Sequence, residues 1–130
     1  MCALENVNVA VWTHRSEDQQ AIELAFTHLG CSVDQVATEE ELLRLARDKR
    51  LDLVAAALSA DFLEPLELLS RGEETSSLPP IVVLADAWGT DLYMEALELG
   101  AFDGVSFPID ERELLRVVAA ALQRTVPLAA

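Results

Sequence analysis

The chain has 130 residues, 52% of them hydrophobic but 5% aromatic, and a formal net charge of −14. This charge repels phosphate backbones and anionic lipid head groups, so it argues against direct binding of nucleic acid or of a membrane surface. Cys2 and Cys31 lack metal-ligand spacing, and the N-terminus lacks the basic head and long apolar run of a signal peptide. We therefore expect one cytoplasmic domain over residues 1–124, followed by a tail over 125–130.

The first half of the chain alternates between predicted strands and helices. "VNVAVW", at 7–12, is a β-rich apolar run, and a capping box at Ser16 opens a helix that ends at Gly30. "CSVDQV" predicts the second strand, and a second capping box at Thr38 opens the next helix. "LDLVAAAL", at 51–58, is the third predicted strand.

The second half continues the alternation. A short helix begins with Pro65 in its first turn, where proline is tolerated, and "IVVLA" predicts the fourth strand. We expect a helix capped by Thr90 and ending at Gly100, then a brief fifth strand, "GVSF". A capping box at Asp110 opens the last helix, which extends to about Gln123.

Strands one, three and four are near-continuous apolar runs, which is typical of strands buried on both faces. The sequence therefore predicts an α/β fold, a doubly wound five-stranded parallel sheet with helices on both faces and the flavodoxin-like strand order 2-1-3-4-5. In such folds, ligands bind at the carboxyl ends of the central strands. The loops after strands one, three, four and five are the candidate site.

Three segments carry a resemblance to a known family: "DLVAAAL" in the third strand, "IVVLADA" in the fourth, and "ALELGAFDGVSFPI" leading into the fifth. With them, the chain resembles the CheY-like receiver domains of bacterial response regulators over residues 7 to about 124. The resemblance implies a signalling domain of a two-component or phosphorelay-related system.

The resemblance also implies a set of functional positions. In that family, two acidic residues after the first strand hold Mg²⁺, together with an aspartate that ends the third strand and accepts a phosphoryl group. A Thr or Ser ends the fourth strand, and a Lys precedes a Pro after the fifth. The corresponding residues here are, in chain order, Thr13, His14, Ala57, Ala85 and Phe107, followed by Pro108.

The departures from this pattern have chemical consequences. Mg²⁺ needs hard oxygen ligands and phosphoryl transfer needs an oxygen nucleophile, and the methyl group of Ala57 supplies neither. Phe107 avoids the cost of a buried ammonium with no carboxylate beside it. We therefore expect a pseudo-receiver that holds no metal or cofactor and has no enzymatic activity. The alternative is a flavodoxin-like small-molecule-sensing or enzymatic domain whose apolar cleft, around Ala57, Ala85 and Phe107, holds a ligand.

Because we expect this pocket to bind no metal ion and to accept no phosphoryl group, we expect the function to come from a surface of the domain. In receivers, the face formed by helix four, strand five and helix five commonly forms homodimers or docks effectors. Here Asp91, Glu95 and Glu98, at positions i, i+4 and i+7, form an acidic stripe on the fourth helix. Arg112 and Arg116, four residues apart, form a basic stripe on the fifth helix. A two-fold contact would pair the two stripes, and the alternative is that both are ordinary solvated helix faces.

Trp88 precedes the fourth helix and has two possible roles. Exposed, it would anchor an interface; folded back, it would cover the cleft beside Phe107. The expected partners are proteins: an effector domain, a kinase or another regulator, or a second copy of this chain.

Overall fold

A computed structural model describes residues 4–14, 16–59, 61–72, 78–85 and 90–123. Five strands alternate there with five helices. The strands are β1 (Asn8–Trp12), β2 (Ser32–Val36), β3 (Leu53–Ala57), β4 (Ile81–Ala85) and β5 (Asp103–Ser106). The helices are α1 (Ser16–His28), α2 (Glu39–Asp48), α3 (Glu64–Ser70), α4 (Thr90–Glu98) and α5 (Glu111–Ala121). The predicted tail and the loop that contains Trp88 lie outside the described residues.

The strands form one parallel sheet in the order β2-β1-β3-β4-β5, which confirms the predicted topology. β3 is central, with Trp12 opposite Ala56 on one side and Ala57 opposite Leu84 on the other. Every residue of β3 and β4 is buried, as their continuous apolar sequences predict.

Two apolar layers cover the two faces of the sheet. On one face, α1 and α5 contribute Ile22, Phe26 and Leu114, and Cys31 joins them as a small buried side chain. On the other, helices α2, α3 and α4 pack against a layer that includes Trp12. Burying a large apolar side chain contributes about 1.5 to 3 kcal/mol, so these layers are the main source of stability.

The helix ends follow the sequence signals in part: Ser16 and Thr90, predicted as caps, are the first residues of α1 and α4, and these helices end at His28 and Glu98, two residues before Gly30 and Gly100. The Thr38 hydroxyl accepts a hydrogen bond from the N–H of Glu41 at 3.1 Å, which confirms the predicted cap. Asp110 caps α5, but its carboxylate accepts from the N–H of Arg112 at 2.9 Å rather than from the third helical residue. α5 ends at Ala121 because Gln123 has a φ of 55°, outside the right-handed helical region.

The fifth strand also differs from its predicted span. β5 covers residues 103–106, one position earlier than "GVSF", so Phe107 lies just beyond the strand rather than in it. Across the described ranges, we find no helix with both the length and the apolarity that crossing a bilayer requires.

Candidate functional site

The carboxyl ends of β3 and β4 carry small apolar side chains. Ala57 is 4% exposed and Ala85 is 3% exposed. Backbone hydrogen bonds tie the chain beyond them to the sheet: the N–H of Leu58 donates to the Leu84 carbonyl at 2.7 Å, and that of Phe107 donates to the Ala85 carbonyl at 2.9 Å. This edge therefore offers packed methyl groups where a nucleophile or a metal ligand would be needed.

The two positions after β1 have different surroundings. Thr13 is buried, and its N–H donates to the Val36 carbonyl of the neighbouring strand at 3.3 Å. His14 is exposed, as expected for a loop histidine. A hydroxyl and an imidazole thus stand where the resemblance places two carboxylates.

Three aromatic rings meet at this edge, and we call Trp12, His14 and Phe62 the aromatic cluster. The Phe62 ring lies edge-on to Trp12, with ring centroids 5.8 Å apart and planes at 89°. The His14 imidazole stacks on the same ring at 4.5 Å and 22°. Edge-on and stacked arrangements are both favourable for aromatic pairs, so Phe62 joins the β1 end to the segment after β3.

The local backbone places Phe62 in the cluster. The N–H of Phe62 donates to the Ser59 carbonyl at 3.0 Å, and the N–H of Ser59 donates to the Phe62 carbonyl at 3.3 Å. Immediately afterwards α3 begins with Pro65 in its first turn. This paired turn directs the ring back toward the sheet, where it is 5% exposed.

Sequence reasoning did not single out Phe62. The available signal was an aromatic residue in a short polar segment directly before a helix. Its partners could not be read from that segment, because the contact with Trp12 and His14 depends on how β1 and β3 pair.

The charged groups of the described residues do not assemble a metal site. In residues 4–14, 16–59, 61–72, 78–85 and 90–123, no three His, Cys, Asp or Glu side chains are grouped closely enough to hold a metal ion. Mg²⁺ sites normally use at least one or two carboxylates, and the buried methyl groups of Ala57 and Ala85 cannot take their place. In the part of the chain that the structure describes, the ends of β3 and β4 therefore present buried apolar side chains.

The face formed by α4, β5 and α5 carries the predicted surface charges. Glu95 and Glu98 are exposed on α4, and Arg112 and Arg116 are exposed on α5. The side chain of Asp91 lies outside the part of the chain that is described, as Trp88 does. The structure therefore places four of the six predicted interface residues on the surface and leaves their pairing across an interface as a prediction.

A hydrogen bond between two side chains links α4 to β5 on this face. The Tyr93 hydroxyl donates to Asp103 Oδ1 at 2.8 Å, and the N–H of Gly104 donates to the same oxygen at 2.8 Å. The hydrogen bond to Asp103, followed by burial and the negative charge of that carboxylate, raises the pKa of Tyr93. Both residues line a groove of about 530 Å³ that reaches Arg116 and Val117 on α5.

Similarity to a curated protein sequence covers most of the chain. It is 33% identical over 104 residues to the transcriptional regulatory protein AfsQ1 of Streptomyces coelicolor, a match that spans 80% of this chain and 46% of that protein. The chain thus spans about half the length of this relative. No protein-family profile matches it.

Solved structures share the fold at lower identity. A response regulator from Thermotoga maritima matches with a TM-score of 0.76 and 24% identity, over 92% of this chain and 99% of that one. Full-length FixJ from B. japonicum matches with a TM-score of 0.78 and 19% identity, over 92% of this chain and 59% of that one. At these identities, the matches establish the shared fold.

Proposed function

We propose that the chain is a response regulator receiver (CheY-like) domain of an atypical kind, which accepts no phosphoryl group at the end of β3; its 33% identity to AfsQ1 over 104 residues supports the family assignment. In this proposal it acts through contact with another protein. The observation that carries the proposal is that the buried methyl group of Ala57, the hydroxyl of Thr13 and the imidazole of His14 stand where the resemblance places carboxylates.

The chemistry of phosphoryl transfer supports this proposal. The reaction needs an oxygen nucleophile in line with the donor and a metal ion that neutralises the phosphate oxygens. Ala57 has no oxygen in its side chain, and Thr13 and His14 cannot provide the negative charge that attracts Mg²⁺. Each of these three substitutions alone would weaken the site, and together they remove its nucleophile and its metal ligands.

The residue before Pro108 agrees with the same interpretation. Phe107 is half-buried and packs against the core layer that contains Ala57. A lysine at this position would place an ammonium near the buried methyl groups, and an unpaired charge in such surroundings is costly. The apolar ring of Phe107 is compatible with an uncharged, buried site at the carboxyl ends of β3 and β4.

Contact with a protein is proposed because the α4, β5 and α5 face exposes acidic side chains on α4 and basic side chains on α5: Glu95, Glu98, Arg112 and Arg116. The AfsQ1 relative is named a transcriptional regulatory protein, and this chain spans about half of it. We propose an effector domain, a kinase or another regulator as the partner, and a second copy of this chain is the form of the contact that can be tested without identifying another protein.

The loss of phosphorylation can be tested by amide NMR. Mg²⁺ with beryllofluoride, a phosphoryl mimic, is added to the ¹⁵N-labelled chain, and a receiver that retains its carboxylates is titrated in parallel as the positive control. The proposal predicts no saturable shift at the amides of Ala57, Ala85 and Phe107. A saturable response at these three amides would overturn it.

The surface contact can be tested by charge reversal. If a second copy is the partner, R112E/R116E weakens self-association in sedimentation velocity, and mixing it with E95K/E98K restores the complex. Arg50→Glu is the control, because Arg50 is exposed just before β3, beside Asp52, and is not part of α4, β5 or α5. Equal self-association of the parent and R112E/R116E would exclude this pairing.

A further inference from the structure

Two polar atoms beside the aromatic cluster are buried without a hydrogen-bond partner among the described residues. They are Nε1 of Trp12 and Oγ of Ser59. Trp12 is 1% exposed, so its indole N–H cannot reach bulk solvent. A buried donor or acceptor without a partner is costly, and such groups in folded proteins are usually satisfied by protein or by an internal water.

Both atoms belong to residues in contact with Phe62. Trp12 meets the Phe62 ring edge-on, and Ser59 exchanges two backbone hydrogen bonds with Phe62. Those bonds use the N–H and C=O of Ser59, whereas its buried hydroxyl has no hydrogen-bond partner among the described residues. The residues that carry the two orphan atoms therefore both contact Phe62.

Their chemistry defines what could bind there. The indole N–H only donates, whereas the serine hydroxyl both donates and accepts. A ligand that satisfies both must accept from Trp12 and exchange a hydrogen bond with Ser59. The neighbouring Leu58 and Phe62 side chains are buried and apolar, so the ligand must also be small and uncharged.

We infer that Trp12 Nε1 and Ser59 Oγ bind one internal water molecule that links β1 to the segment after β3. This water is a structural ligand of the aromatic cluster, and the inference does not depend on the proposed function. It implies that the turn carrying Phe62 is fixed to β1 by a polar link as well as by ring contacts.

The test is NMR of the full ¹⁵N-labelled chain, with Trp88→Phe used to assign the two indole signals. We expect a water cross-peak at the Trp12 indole proton with the sign of a long-lived bound water, and we expect S59A to weaken it. S70A is the matched control, because Ser70 is exposed and its hydroxyl donates within its own helix. The control should leave the cross-peak unchanged.

Stability measurements provide the second readout. Removing a water-linked hydroxyl lowers the urea midpoint of unfolding, whereas removing an unsatisfied buried hydroxyl raises it. The inference therefore predicts a lower midpoint for S59A than for the parent chain. No water cross-peak at Trp12 in the parent, a cross-peak unaffected by S59A, or an unchanged or raised midpoint in S59A would overturn it.

Discussion

The imidazole of His14 lies stacked on the ring of Phe62, with centroids 4.5 Å apart and planes inclined by 22°. His14 follows β1 and Phe62 follows β3, so the stack joins the two loops that would share a metal ion in a phosphorylatable receiver. A stacked aromatic pair therefore lies at this edge of the sheet. Dispersion and the burial of the Phe62 ring stabilise the contact.

Truncation of Phe62 tests the structural role of the aromatic cluster. F62A removes a buried ring that contacts both Trp12 and His14, and large-to-small substitutions of this kind cost about 3 to 5 kcal/mol. We expect that loss in the free energy of unfolding measured with urea. L63A is the control, because Leu63 is 41% exposed, and it should cost less than about 1 kcal/mol. Similar losses for the two variants would contradict the role given to Phe62.

A carboxylate at the end of β3 should be poorly tolerated. A57D places an acid at a position that is 4% exposed and lies within an apolar cluster, so burial raises the pKa of the new carboxyl above its ordinary value. A raised pKa means that folding favours the protonated form, and the variant's stability relative to the parent falls as the pH rises from about 4. Urea unfolding as a function of pH should show a loss of at least about 3 kcal/mol at neutral pH.

The uncharged variant separates charge from size in that experiment. A57N is close in volume to A57D but cannot ionise, so it should lose stability without the added pH dependence. Parallel pH profiles for A57D and A57N would show that the buried charge has no effect. That result would contradict the expectation that the end of β3 is a buried, apolar environment.

Tyr93 offers a direct titration, because it is the one tyrosine in the sequence. Its hydrogen bond to Asp103 favours the neutral phenol, so its pKa lies above the ordinary value of 10.0. The stabilisation is fully present below that pH and is lost as the pH rises through the raised pKa. Ultraviolet difference spectroscopy should show a midpoint above that of free tyrosine, and D103N should move it downward. Identical midpoints in the parent and D103N would exclude this contact.

The N-cap of α2 provides a local test of how the sequence determines the fold. T38A removes the hydroxyl that accepts from the N–H of Glu41, and loss of such a cap typically costs about 1 kcal/mol. T38S keeps the acceptor and should retain most of the stability. Thermal or urea unfolding of the three chains provides the comparison. A T38S variant as unstable as T38A would mean that the methyl group, not the cap, is what matters.

The sequence was most informative where the determining physics is local. β3 and β4 are short apolar runs, and alternation with helices makes a parallel, doubly covered sheet the consistent solution. The Thr38 cap follows from residues three positions apart. The sequence determined the ends of the elements less well. The last helix was predicted to extend to about Gln123 but ends at Ala121, because the left-handed conformation of Gln123 depends on the packing around the helix end.

The sequence predicted where the candidate site lies but not which side-chain contacts form there. The resemblance to receiver domains predicts Thr13, His14 and Ala57 at the sheet edge. The aromatic cluster at that edge could not be predicted, since Phe62 reaches Trp12 only when β1 and β3 are paired and the turn at Ser59 has formed. The bond between Tyr93 and Asp103 was missed for the same reason, because it depends on how α4 packs beside β5.

Intact-mass spectrometry after incubation with Mg²⁺ and acetyl phosphate, a small phosphoryl donor, tests the absence of phosphorylation most directly. The measurement uses the full chain under conditions that label a conventional receiver run alongside it. We predict that the mass of this chain does not change. A gain of one phosphoryl group that maps to the segment from β3 to the start of α3 would contradict the account.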